Sequence, residues 1–344
     1  MKKILFAAVA VMAMAACSNE DVISRPASPV IGFDNAFVEN STRANDLTKG
    51  NFDFGVYGSV INSQGQQGMI FTNQQVAADG TYSPLQYWIA GATYNFVAFA
   101  PYTGAQWTYV PTVKTAAENG VLTFNNTGAN QDLLFATVNK TTDAPLTATP
   151  GKVGFTFDHV LSRVRFTFTN GFTSNGNIKL LVTDVHITDA YTEGKMAVPA
   201  KTWTVEAGNN NDNKKLDINF KNVLKAEDST ETDARLAEGM TSSTEHFYLI
   251  PANASYNVTF TVALYQAGVL VDTYNRTATL SYNMQPGYSY DIKATLNPSN
   301  TSDEGQIFPI EFQVSGVNDW ANYTDVTGTV NQPTTGGNQG TENN

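Results

Sequence analysis

One cysteine, three histidines and no sustained helical periodicity are what this 344-residue chain has little of, and each shortage removes a class of protein. The lone thiol, Cys17, cannot close an internal disulfide, so a cross-linked secreted scaffold is excluded. His159, His186 and His246 are too far apart in sequence to suggest a metal cluster or a catalytic triad, and Ser162 beside Arg163 lacks the glycine-flanked elbow of a hydrolase. No glycine-rich phosphate cradle occurs; Gly336-Gly337 lies in a polar tail. Basic residues are also scarce, 20 against 31 acids, for a net charge of −11. Removing Lys2 and Lys3 with a leader leaves 18 bases against 31 acids, or −13. Such a surface lacks the basic footprint that nucleic acid or anionic lipid requires. The acids Glu227, Asp228, Glu231 and Asp233 cluster in a charged stretch that reads as a solvated loop, with calcium a secondary reading. These absences predict no enzyme, no cofactor and no metal.

What is present is β-forming. Hydrophobic residues make up 42% and aromatics 11%, enough for real cores, and Thr, Asn, Tyr, Phe and Val abound. The expected class is all-β, with two domains for a chain of this length. Residues 94–100 are apolar on both parities, as a central strand should be, and Pro101 stops them. Val164, Phe166 and Phe168 alternate strictly with Arg165, Thr167 and Thr169; Val258, Phe260, Val262 and Leu264 form the most regular strand. Ile178, Leu180 and Val182 share one parity and Val185 and Ile187 the other, which predicts a bulge near Thr183-Asp184. Residues 140–152, rich in Thr, Pro and Gly, mark the expected boundary. The predicted organisation is a leader (1–16), a linker (17–29), one sandwich (30–152) and a second (153–305). A C-terminal strand segment (306–330) and a tail (331–344) too poor in apolar residues to fold alone complete it.

The N-terminus reads as a signal peptide: Met1-Lys2-Lys3, an apolar run over 4–16 too short to span a bilayer, then Ala15-Ala16 before Cys17. Cys17 resembles the lipidated cysteine of bacterial lipoproteins, with Met14 where Leu is usual. Acyl chains on that thiol would hold the protein to an outer-membrane face, each buried methylene contributing about 0.8 kcal/mol. The plainer alternative is a secretory leader with an incidental cysteine.

Residues 30–59 organise the rest. Ile31 and Phe33 alternate with Val30, Gly32 and Asp34, Phe37 and Val38 follow, and Phe52, Phe54 and Val56 resume the alternation. Between them, residues 39–51 are polar, which predicts a surface loop open to proteolysis. Arg43 precedes the small Ala44, an open bond for an Arg-specific protease. A cut there would free the strand carrying Ile31, Phe33 and Phe37 and leave an apolar groove for another chain's strand. The plainer reading is a loop that happens to contain one Arg. At the other end, Phe308, Ile310, Phe312 and Val314 alternate with Pro309, Glu311 and Gln313 after a linker-like stretch, residues 297–305. A strand on a linker can belong to its own domain or to a neighbour, and Pro309 suits an outlying position.

In order along the chain, several marks resemble the fimbrillin family, the lipoprotein-derived type V pilus subunits. They are Cys17; Ser41-Thr42-Arg43-Ala44; Phe54-Gly55-Val56-Tyr57; Trp88 with Tyr94-Asn95-Phe96-Val97-Ala98-Phe99-Ala100-Pro101; and Asp132-Leu133-Leu134-Phe135-Ala136. Phe157-Asp158-His159-Val160-Leu161-Ser162-Arg163-Val164, Phe247-Tyr248-Leu249-Ile250-Pro251 and Val317-Asn318-Asp319-Trp320 continue the series. The resemblance implies two transthyretin-like sandwiches, lipoprotein export, cleavage after Arg43 and polymerisation by strand donation. It assigns residues 31–38 as the strand removed and residues 308–330 as the donor segment, with Phe308, Ile310, Phe312 and Val314 as its apolar pegs. Tyr323, Val326 and Val330 are sparse pegs for a second donor strand, so stalk and tip duty both stay open. The implied partners are other fimbrial subunits, an Arg-specific protease, the membrane through lipid on Cys17, and a host protein or glycan receptor. The alternative is a permanently lipid-anchored adhesin that does not polymerise. Trp88, Trp107, Trp203 and Trp320 fit either a sugar-stacking platform or buried sandwich positions.

Overall fold

The computed structural model describes residues 28–34, 37–38, 52–146, 149–173, 177–205, 215–220, 224–225, 235–301, 310, 312–317 and 328–329. The fold is all-β: among the described residues 58% are strand and almost none helix. In the first half the strands are β1 (Phe37–Val38), β2 (Phe54–Ile61), β3 (Gln67–Val76), β4 (Thr93–Ala100), β5 (Trp107–Pro111), β6 (Gly120–Asn125), β7 (Leu134–Thr141) and β8 (Thr156–His159). Six of them make one sheet, ordered β1-β8-β7-β4-β2-β3.

That sheet carries a core on each face, which is why β4 is apolar on both parities. Tyr94, Phe96, Ala98 and Ala100 face one core with Phe54, Val56, Leu134, Ala136 and Phe157. Val97 and Phe99 face the other with Tyr57, Phe135, Trp107, Tyr109 and Phe124. A second sheet covers this latter core, and two of its strands come from the second half of the chain. They are β11 (Glu193–Val198) and β12 (Thr202–Thr204), in the order β12-β11-β6-β5. Among the described residues no such sheet lies over the first core. Ile31, Phe33, Trp88, Val153 and Phe155 close it instead.

The second half continues with β9 (Ser162–Asn170), β10 (Ile178–Tyr191), β13 (Lys215–Asn219), β14 (Leu224–Lys225), β15 (Thr241–Ser243) and β16 (Phe247–Leu249). The long hairpin β17 (Asn253–Gln266) and β18 (Val269–Asn283), then β19 (Ser289–Leu296), β20 (Phe312–Val317) and β21 (Gly328–Thr329), complete it. Sheet β13-β10-β17-β18 packs on sheet β14-β15-β9-β19-β20-β21, with β16 also on β9. Between them lie Val164, Phe166, Phe168, Val258, Phe260 and Val262. The β10 register shifts between Thr183 and His186, and Asp184 sits at φ 52°, so the parity slip in the sequence is a real bulge.

The structure differs from the expected organisation at one boundary and at one linker. The first unit does not end at residue 152: Val153, Phe155 and Phe157 belong to its core, and β8 pairs with β7 through Leu134↔His159. Pro and Gly density marked a local turn there, while the aromatic alternation that follows was already completing the first sheet. The two halves also share a sheet, because β11 pairs with β6 from Glu193↔Asn125 to Val198↔Gly120. The expected linker at 297–305 also begins as packed structure, a turn of helix α1 (Pro298–Thr301) with Asn300 and Thr301 buried.

Buried tyrosines make the fold sensitive to alkali. Burial pushes the Tyr57 hydroxyl up to about 12 and raises Tyr109, Tyr256 and Tyr290 further. Raised folded-state values mean the native state holds these protons more tightly than the unfolded chain does. Their contribution is therefore intact below about pH 10 and is lost as pH rises through the folded values. The denaturant midpoint should fall between about pH 10 and pH 12. Tyr57→Phe should flatten that slope while leaving the neutral-pH unfolding free energy within about 1 kcal/mol of its starting value.

Candidate functional site

The site is the cover over the first core. Ile31 is 0% and Phe33 1% exposed, and the strand pattern that buries them leaves Val30 and Asp34 at the surface. The Phe33 ring sits in an aromatic pocket, 5.3 Å from Tyr82, 5.6 Å from Phe71 and 6.0 Å from Phe155, with Phe54 and Phe96 slightly farther. Most of these contacts are edge-on, the arrangement ring quadrupoles favour.

The backbone of this segment is held by two different walls. On one side Ile31 N–H donates to Gln86 O (2.8 Å) and Trp88 N–H donates to Pro29 O (2.9 Å), making an antiparallel contact. Tyr82 adds a side-chain bond, its hydroxyl donating to Ile31 O at 2.7 Å and accepting from Gln86 N–H at 3.1 Å. On the other side Asp34 N–H donates to Val153 O (3.0 Å) and Val153 N–H to Gly32 O (2.8 Å), a parallel contact. Phe37 and Val38 then pair in parallel with Thr156 and Phe157. The cover thus joins the sheet at an edge through short pieces of ladder, while its two buried side chains supply burial on the order of 1.5–3 kcal/mol each.

Gly80 fits this backbone closely. It lies at φ +85°, and an added Cβ would collide with the carbonyl oxygen of Phe33. The turn containing Asp79 and Gly80 is therefore a floor under the strand. Trp88, 1% exposed, packs edge-on at 4.7 Å against Tyr94, and its indole nitrogen has no hydrogen-bond partner among the described residues.

Among the predicted site residues, Ile31 and Phe33 lie in the cover, and Phe37 sits at the sheet edge in β1. Cys17, Arg43, Ala44 and Phe308 lie outside the described residues. The ends of the segment carrying Arg43 are both placed at Phe157: Val38 pairs with its backbone and the Phe52 ring meets its ring at 5.6 Å. Ile310 and Phe312 are buried in the second core, 7% and 2% exposed, and Phe312 touches Phe166 at 5.7 Å. Val314 pairs with Ile292 in β20, which lies antiparallel to β19 in the chain's own sheet. The structure thus brings Ile31 and Phe33 together in the cover and seats Ile310 and Phe312 in the second core.

Sequence reading missed the walls. Gln86–Trp88 and Val153 form no named strand, and Tyr82 and Gly80 stand out only once Ile31 and Phe33 are in place. One signal was available: Leu85, Tyr87 and Ile89, all exposed, alternate with Gln86 and the buried Trp88. The other histidine and tryptophan readings resolve locally. His159 Nδ1 lies 2.8 Å from the Asp132 carboxylate in a buried pair, His186 Nδ1 meets Asp217 at 2.7 Å, and Trp107 donates to Pro101 O at 2.7 Å. Trp88 and Trp107 are buried, Trp203 is partly so, and Trp320 lies outside the described residues.

Fold and site together define an all-β protein whose first core is closed by a short edge strand. A family model described as Fimbrillin-like matches residues 42–320, and the chain belongs to that family. Among solved structures, a candidate cell adhesion protein of Bacteroides uniformis is 19% identical, covering 85% of this chain and 99% of its own, at a TM-score of 0.45. One of Bacteroides ovatus is 16% identical over 87% of this chain and 97% of its own, also at 0.45. One of Bacteroides eggerthii is 12% identical over 85% and 96%, at 0.46. Among curated proteins none matches.

The cover is the part most open to test. Phe33→Ala should destabilise the first unit by about 3–5 kcal/mol in urea denaturation, because the surrounding rings cannot collapse into the space. Gly80→Val should loosen the same strand without touching it chemically, seen as faster hydrogen exchange at the Ile31 and Asp34 amides and unchanged exchange in β17.

Proposed function

We propose that this chain is a structural subunit, stalk or tip, of a cell-surface fimbria. In this reading it is exported as a lipoprotein on Cys17, cut after Arg43 by an Arg-specific protease, and assembled by strand exchange with other subunits. The observation that carries the reading is the cover itself. A segment of edge type closes a large aromatic core with two buried side chains, and it is tied to the body of the fold through residues 39–51. Family membership supports the fimbrial role. Once cut, the cover is held by its own contacts alone, and its departure leaves hydrogen-bonding groups at Gln86, Trp88 and Val153 beside exposed rings. A strand from a second subunit restores both, which is β-augmentation with side-chain pockets.

A second reading has an observation of its own. Because β20 is already paired with β19 and Phe312 is buried at home, a subunit that never surrenders this strand would stay a lipid-anchored surface adhesin with a host protein or glycan receptor. The two readings separate on treatment of the leaderless protein with an Arg-specific protease. Assembly predicts ladders on unboiled gels and a new N-terminus at Ala44, with Arg43→Ala remaining monomeric. Glycan-array binding by uncut monomer, with no ladders after the cut, would favour the adhesin.

A further inference from the structure

We propose that the groove accepts the C-terminal strand of a second copy in one register: Ile310 in the place of Ile31, Phe312 in the place of Phe33 and Val317 in the place of Val38. This rests on the strand-exchange reading above. The two segments repeat one spacing, Ile-Gly-Phe at 31–33 and Ile-Glu-Phe at 310–312, with valine five residues beyond each phenylalanine.

The backbone demands of the groove select the same alignment. The Val30–Tyr87 contact is the non-hydrogen-bonded kind, since the bonds beside it run from Ile31 N–H to Gln86 O and from Trp88 N–H to Pro29 O. Among the described residues Val30 N–H gives no backbone bond, so Pro309, which has no N–H, fits that position without loss. The amides that must donate, at 31 and 34, are supplied by Ile310 and Gln313. Pocket size then separates this register from its neighbours of the same parity. Sliding by two residues puts Ile310 or Val314 among the rings around Phe33, where either leaves space a phenyl ring fills. A slide by one residue turns Glu311 or Gln313 into the core.

Charge agrees with size. A Cβ added at Gly32 would reach Lys152 Cγ at 3.2 Å, and Lys152 is an exposed, flexible side chain. In the proposed register Glu311 takes that position and brings a carboxylate beside the Lys152 ammonium, where the resident strand offers only a hydrogen atom. The donor is thus matched to the lysine in a way the resident is not. To donate, β20 must leave β19 and withdraw Phe312 from Phe166 and Phe260.

Cys17, the chain's one cysteine, departs with the segment before Arg43, so the cut protein is free of thiols and can be mapped by introduced pairs. The variant Lys152→Cys with Glu311→Cys, cut with an Arg-specific protease under mild oxidation, should give a ladder on denaturing gels that collapses on reduction. Lys152→Cys with Gln313→Cys should give at least tenfold less ladder, and uncut protein none. If wild-type protein forms no polymer after cutting, strand exchange itself fails and the register with it. If polymers form but the 152–311 pair stays unlinked, or the 152–313 pair links equally well, exchange stands and this register is overturned.

Discussion

The fold depends on how one face of the six-stranded sheet is closed. Its other face is covered by a sheet, but this face is closed by Ile31 and Phe33 together with Trp88, Val153 and Phe155. Removing the cover would expose the rings of Phe54, Phe71, Tyr82, Phe96 and Phe155 at once. Exposing aromatic surface on that scale is unfavourable, since each such ring contributes burial on the order of kilocalories. The groove therefore has a definite occupant at all times. In the proposed assembly, what varies is whether that occupant is the resident strand or another of the same shape.

The rest of the first unit is built so that losing the occupant need not unfold it. Strands β11 and β12, from beyond the middle of the chain, complete the sheet behind the second aromatic core and bring Met196, Val198 and Trp203 to it. Trp203 donates to Val160 O at 2.8 Å, and Lys201 is held to Asp158, so the crossing hairpin is pinned to the segment that leads from β8 into β9. The walls of the groove belong to this interlocked body rather than to the cover. An acceptor already in its bound shape loses little conformational freedom on receiving a strand, which favours tight binding for a given contact area.

Much of this was legible in the residues, and what was not has a physical reason. Strict alternation gave β9 and β17, the slip at Thr183-Asp184 gave the bulge, and the two-sided apolar run gave β4 its central place. All three signals are local, because side-chain parity follows directly from the pleat. Strands β5, β11 and β12 were not read: Trp107–Pro111 is only five residues long and ends in proline, and Glu193–Val198 sets Glu and Lys among few large apolar groups. Strand β11 owes its state to pairing with β6, a partner far away in sequence, while β12 pairs with β11 and β5 pairs with β6, the next strand along the chain. The cover was legible as a strand, but its walls were harder to read: the single bridge at Val153 leaves no periodic trace, and the one at Tyr87 leaves only the brief alternation of Leu85, Tyr87 and Ile89 with Gln86 and Trp88. Phe312 was legible as a strand residue, yet alternation could not say which molecule's core it would enter.

In the proposed assembly, that ambiguity is also where timing enters. While residues 39–51 connect cover to body, the resident strand competes from within the molecule, and short tethers give effective concentrations on the order of millimolar. A donor from another subunit, present at far lower concentration, loses to it even if its fit is better. Cutting after Arg43 adds no affinity to the donor. It removes the resident's advantage, so that a strand leaving the groove is diluted away and better pocket filling and charge decide the outcome. The same argument applies at the other end, where β20 is held in its own sheet by its connection to β19 and by the burial of Ile310 and Phe312. Exchange becomes favourable only when the groove offers a gain over that seat. The Phe33 pocket, with rings on several sides against the two rings of Phe166 and Phe260 at home, is the feature able to supply it.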